Sequence, residues 1–510
     1  MKRIYKIAVS MFALAFMVSC DSGFDELNTN KVGTTSMDPV FVLNQAVINS
    51  SPFGASLNYE IGIVQQLISP NTGVLLGANF NQVNINSTNQ AWIAGFQNVI
   101  RYTNDVITRT KDDAARSNLY SMARIVQANA YMQLTDTYGD VPYTEGGKGY
   151  TDGILFPKYD TQQSIYNSLI NELTQASNNL DATKTVETGD VLFGGNVAKW
   201  KKFGFSLLLR AGMRLVKADP TKAQATAQAA FAGGVITTNA DNAIIRHDTN
   251  FPNALGNTLT GTEAANFYLT EPFVNALKST NDPRLGSIAV RYIGAGSGSA
   301  QVAAIADTTA SKQFGLPVGT TDSQADALGK NLPSGGARYA FSQVDRTRMV
   351  KRNSPLFIVT AAQSNLLLAE AAARGWIGAP GSASTYFANG IRAHMDQMVD
   401  YDARSAVRAS SRNKYVNDNP LDTSSLDASL SQINYQYWIA SFLSPSEAWA
   451  NFRRSGYPAL AANPFPGRTV PFITRLTYPV SETLVNTANV QAAIASQGAD
   501  ALDTKVWWNK

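Results

Sequence analysis

The densest grouping of reactive side chains in this chain of 510 residues is TDTYGDVPY, Thr135 to Tyr143, where Asp136 and Asp140 alternate with Tyr138 and Tyr143. Two carboxylates this close could serve acid–base hydrolysis or hold calcium. Gly139 and Pro142 punctuate the stretch as a helix stop followed by a turn, so the local pattern favours carboxylates that accept backbone hydrogen bonds at a helix exit. The two histidines, His247 and His394, stand far apart with no HExxH spacing, and GAGSGSA lacks the GxSxG order. A zinc hydrolase and a Ser-His triad are therefore not expected. The 38 acidic residues would supply a glycosidase pair in number, but no signature marks one. In SEAWANFRRSGYP, Trp449 and Arg453 stand four apart on a helical pattern, so Arg453 or Arg454 is expected to pair with a carboxylate in a structural ion pair or stack on an aromatic ring.

The single cysteine, Cys20, follows a basic start (Lys2, Arg3, Lys6) and an apolar run from Ile7 to Val18. That run falls short of the roughly 20 residues a membrane span needs, and no later segment reaches that length. A small residue, Ser19, before a cysteine at the end of such a run resembles a bacterial lipobox, with Met17 where leucine is usual. On that reading, residues 1–19 are a signal peptide and Cys20 carries acyl chains worth about 0.8 kcal/mol per buried CH₂. The other reading is ordinary cleavage near Ser19 that leaves a free thiol. Of the formal charge of +4, three units belong to Lys2, Arg3 and Lys6, leaving +1 after cleavage and no electrostatic case for nucleic acid.

Behind these residues lie mainly helical elements. Residues 20–31 read as a polar tether and 32–510 as one large domain, because no linker divides it. Hydrophobic residues make up 44% and charged ones 16%, so packing rather than disulfides must supply stability. In NVAKWKKFGFSLLLRAGMRLV, Trp200, Phe203, Leu207, Leu208, Ala211 and Leu215 recur at helical spacing behind Asn196, a natural N-cap. Further stripes run through Ile165–Leu180, Leu119–Leu134 and AAQSNLLLAEAAARGW, the last closing at Gly375. Strand signals are short: NAIIRH, ARYAFSQ and RLTYP. Between them lie long polar loops around 69–90 and 294–336, of a length usually tied to function.

Several stretches, in this order, are similar to the SusD/RagB outer-membrane lipoproteins and to their starch-binding-associated branch: FDELNTN, TDTYGDVPY, NVAKWKKFGFSLLLRAGMRL, NDPRL, LLLAEAAARGW, SEAWANFRRSGYPAL, RLTYPVSE and KVWWNK. The resemblance implies tetratricopeptide-like helix pairs against a loop-rich half. It also implies a cell-surface protein that captures oligosaccharides for a SusC-like TonB-dependent transporter, with no catalysis; the residues themselves single out no cofactor and no metal ligand.

Sugar capture needs aromatic faces for pyranose C–H groups and amides for hydroxyls. NFNQVNINSTNQAW, TEAANFYLTEPF and GGARYAF offer Phe80, Asn81, Trp92, Asn266, Tyr268 and Tyr339. Trp92 also opens a helical pattern in which an aromatic belongs to the core, and Trp507 and Trp508 are expected to pin the carboxyl end. Peptide capture on the same fold and a secreted glycoside hydrolase are the alternative functions.

Overall fold

The computed structural model describes residues 37–51, 54–70, 76–260 and 267–510. Cys20, the tether at 20–31 and Asn266 lie outside them. Pro39–Lys510 is one compact unit, and it is mainly α-helical with a few two- and three-stranded ribbons.

The strongest sequence periodicities become the scaffold. Val197–Arg214 begins where the Asn196 side chain accepts from the Lys199 amide, and its stripe of Trp200, Phe203, Leu207, Leu208 and Ala211 is buried. It packs between Gln162–Asn179 and Pro220–Gly233, while Gln162–Asn179 packs on Ser117–Tyr138. A second set follows: Ala361–Ala373 packs on Ser382–Gln397 and on Leu426–Ala440, which leads into Pro445–Ser455. Chain neighbours therefore pair face to face, each burying a stripe too narrow to be stable alone. Ala361–Ala373 is opened by a capping box, Thr360 with Gln363, and gives way at Gly375, whose φ of +73° favours glycine.

At TDTYGDVPY the long helix stops at Tyr138. Gly139 has φ +82°, and a Cβ there would lie 2.0 Å from the Gln497 Oε1 atom, so both conformation and space require glycine. Asp140 braces the exit as expected, accepting from the Gln162 amide at 2.8 Å. Asp136 does not: its carboxylate accepts from side chains, the Tyr166 hydroxyl at 2.5 Å, Trp508 Nε1 at 2.9 Å and Arg214 Nε at 3.2 Å. Trp508 is buried and thereby ties the carboxyl end to the first helix set.

Ribbons carry the loop-rich half. Leu67–Ile68 pairs antiparallel with Tyr268–Leu269, and Ala289–Tyr292 lies between Ala306–Asp307 and Gln343–Val344. Ala243–Ile245 pairs with Leu356–Val359, joining the two helix sets. RLTYP forms no strand. Arg475 and Tyr478 lie outside any ladder, the Tyr478 hydroxyl donating to the Asp140 carbonyl at 2.7 Å. The long polar stretch at 294–336 contains a helix, Asp322–Lys330, opened by a capping box between Thr321 and Gln324.

Candidate functional site

The interior takes up most of the residues that could have done chemistry. Glu447 receives Arg214 Nη2 at 2.5 Å, Arg210 Nε at 3.1 Å and the Tyr437 hydroxyl at 2.6 Å. Burial pushes its carboxyl up, but the two guanidiniums outweigh that and hold it below the usual range. The RR pair divides: Arg454 grips Glu370 with two parallel bonds of 2.8 Å, while the Arg453 guanidinium lies 3.8 Å from the Trp449 ring centroid and 5.0 Å from that of Trp508. Each of these carboxylates is spent on a cation inside a packed core, so they brace helices rather than face a substrate.

Most of the sequence candidates for sugar contact also turn inward, which corrects the expectation for them. Trp92 is 7% exposed and sits among Phe96, Tyr138, Tyr159 and Tyr478, with its ring edge-on to Tyr138 at 5.1 Å. Tyr268 is fully buried with Ile68, Leu316 and Phe341, and that burial raises its hydroxyl pKa. Phe80 is 2% exposed and stacks on Phe465, centroids 4.2 Å apart. Asn81, in the left-handed region at φ +49°, donates its amide to the Val470 and Pro471 carbonyls at 3.2 and 2.8 Å. It clamps a loop, and its donors are used up.

What these residues do is assemble a surface behind them. Asn79 bonds Gly319 and Thr320 on one side and receives the Asn463 amide on the other, tying 76–84, 317–321 and 461–472 together. Gly319 lies against this junction with φ +79°, and a Cβ there would approach the Phe465 amide nitrogen to 3.1 Å. Phe465 is half-buried, with Phe80 stacked against its ring. Thr321 then opens the helix Asp322–Lys330, onto which Arg338 folds with Nη1 2.8 Å from Asp326 and 3.8 Å from Asp322. That guanidinium lies 5.1 Å from the ring centroid of Tyr339, also half-buried. Tyr339 is thus the one described candidate that is not buried, and Phe465 joins it as a half-buried aromatic.

Phe465 lies outside the asparagine-rich runs that the sequence offers for sugar contact. Its signal was NPFPGR, an aromatic held between two prolines in a loop. The signal for Arg338 was TDSQ, a capping box announcing a helix within a stretch that reads as loop. Among the described residues no helix is long and apolar enough to cross a membrane, and no His, Cys, Asp and Glu group could hold a metal ion.

Helix pairs carrying a loop-rich face with half-exposed aromatics and a fixed guanidinium define a binding protein of the SusD kind. The chain belongs to the SusD-like family: the SusD-like_2 family model, described as starch-binding associating with outer membrane, matches residues 30–479. Among solved structures it is similar to a chitin-binding protein (28% identity, TM-score 0.81, covering 93% of this chain and 100% of that one). It is likewise similar to a Bacteroidetes AC2a SusD-like protein (26%, TM-score 0.80, 93% and 100%). A SusD homologue from Bacteroides uniformis ATCC 8492 also matches (25%, TM-score 0.73, 92% and 98%). No curated protein matches.

Proposed function

We propose that this chain is a lipid-anchored cell-surface receptor that binds oligosaccharides, chitin fragments foremost, and delivers them uncut to a SusC-like TonB-dependent transporter in the outer membrane. The observation that carries this reading is the family match over residues 30–479, joined to a chitin-binding structure at 28% identity across 93% of the chain. The face around Phe465 and Tyr339 suits it physically. The rings take the C–H faces of a saccharide, and the groups fixed around Arg338 meet its hydroxyls and N-acetyl amides. Asp322 and Asp326 both lie against Arg338, an arrangement for binding rather than for separating a general acid from a nucleophile.

Calorimetry with chitohexaose, maltohexaose and a peptide pool tests the ligand class, and an assay for new reducing ends tests the absence of cleavage. Hexamers are expected to bind more tightly than dimers, because an open platform leaves much of a short ligand wet. Phe465→Ala and Tyr339→Ala should each weaken chitohexaose binding by about five- to tenfold, near 1 kcal/mol. Unchanged affinity in both variants removes the face from the proposal, and preference for peptides removes the ligand class. Cys20→Ala is expected to move the protein from the membrane to the soluble fraction; persistence of that variant in the membrane pellet of cells lacking the transporter sinks the lipid anchor.

A further inference from the structure

A cleft of about 880 Å³ opens on the helical side of the chain, walled by 191–199, 237–246 and 389–400, and shares no residue with the face around Phe465 and Tyr339. Its size is that of a ligand site holding more than a single small ion. The walls are set by internal bonds. Phe193 lies edge-on to Trp200 at 5.5 Å, the Asn239 amide donates to the Ala393 carbonyl at 2.9 Å, and Lys199 donates to the Ala240 carbonyl at 2.6 Å. A cavity so braced does not have to be ordered when a ligand arrives.

The charges in it are unbalanced. Arg246 and Arg392 line the cleft, and the guanidinium of neither makes an ion pair or a hydrogen bond among the described residues. Of the two carboxylates on the rim, Asp396 is already held by Arg412 at 2.5 Å, which leaves Asp400, near Arg246, as the one without an ion pair. Guanidiniums are the residues best shaped to grip a carboxylate through two parallel bonds, and two of them stand here without one. Beside them Thr237, Thr238 and Asn389 present hydroxyls and an amide, and the exposed side chains of Val191 and Val399 supply apolar surface. A bare anion would use the guanidiniums and leave the rest of the cleft idle.

We propose that this cleft is a second binding site, one that takes an acidic oligosaccharide by the carboxylate of a uronic acid unit. Arg392, half-buried on the Ser382–Gln397 helix, is the principal contact, and Arg246 closes on the same group from across the cleft.

Calorimetry on the full mature chain with tetragalacturonate, neutral cellotetraose and sodium sulfate tests this. Tetragalacturonate is expected to bind, more weakly at high salt, and cellotetraose to bind at least tenfold less tightly. Arg392→Gln should lower tetragalacturonate affinity about tenfold or more, as loss of a charge-assisted bond does. Arg246→Gln, at an exposed position where misfolding is not at issue, should lower it in the same direction. Both should leave chitohexaose affinity at the other face unchanged, so this proposal and the chitin reading fail separately. Absence of tetragalacturonate binding, equal binding of the neutral tetramer, sulfate binding as tight as the oligomer, or indifference to both arginine substitutions overturns it.

Discussion

Glu370→Gln is expected to cost about 3–5 kcal/mol of unfolding free energy at pH 7, measured by urea denaturation, the range for breaking a buried ion pair from one side. The carboxylate is 1% exposed at the junction of three helices, Ala361–Ala373, Leu426–Ala440 and Pro445–Ser455. Arg454 binds both its oxygens at 2.8 Å and also reaches Asn434 and Asn451 at 2.8 and 2.6 Å, while Arg374 adds a bond of 2.9 Å. Glutamine keeps the shape but leaves Arg454 charged in a dry interior. Burial alone would raise the Glu370 pKa; Arg454 first and Arg374 second overcome it and bring it down to about 2 from 4.5.

The sign of the pH dependence follows. A carboxyl with a folded pKa below its unfolded one contributes stability that is present above about 4.5 and lost as pH falls through about 2. The gap between parent and Glu370→Gln should therefore narrow between those two values. A Glu370→Leu, Arg454→Met double substitution should recover much of the loss, since neither charge is then buried. A Glu370→Gln variant within 1 kcal/mol of the parent at pH 7 would show that the pair is not what joins these helices.

Local rules made the scaffold readable. The helix at Val197–Arg214 needed only an apolar stripe and an Asn196 cap, and the Gly375 stop needed only backbone sterics, all of which act within a few residues. The RR pair was readable as to chemistry but not as to assignment, because the carboxylate that selects Arg454 stands 84 residues away in Glu370. The surface was the least readable part. Phe80 and Asn81 look like ligand residues in an asparagine-rich run, yet what covers them comes from Phe465, Val470 and Pro471 at the far end of the chain. Trp92 likewise belongs to a cluster completed by Tyr478. Which way an aromatic faces depends on partners that sequence spacing does not encode.

The same long-range packing sets the second large effect, at Glu60. This carboxyl is 4% exposed, accepts from the Ser446 hydroxyl at 2.5 Å, and lines a pocket of about 50 Å³ with Asn129, Gln133 and Tyr138. Burial drives its pKa up from 4.5 to about 7, with the Ser446 bond and the charge of Arg453 pulling the other way. Arg453 is itself lowered to about 9, chiefly by burial, and so remains charged at neutral pH. For a group whose folded pKa is raised, the stabilisation is complete below about 4.5 and is lost as pH rises through about 7. Above that, the buried carboxylate opposes folding by on the order of 3 kcal/mol. Glu60→Gln, neutral at every pH and able to keep a bond to Ser446, should therefore match the parent near pH 4.5 and exceed it at pH 8, reversing the usual direction of a core substitution. Loss of stability at pH 8 in that variant would mean that the Arg453 charge depends on Glu60 more than burial penalises it.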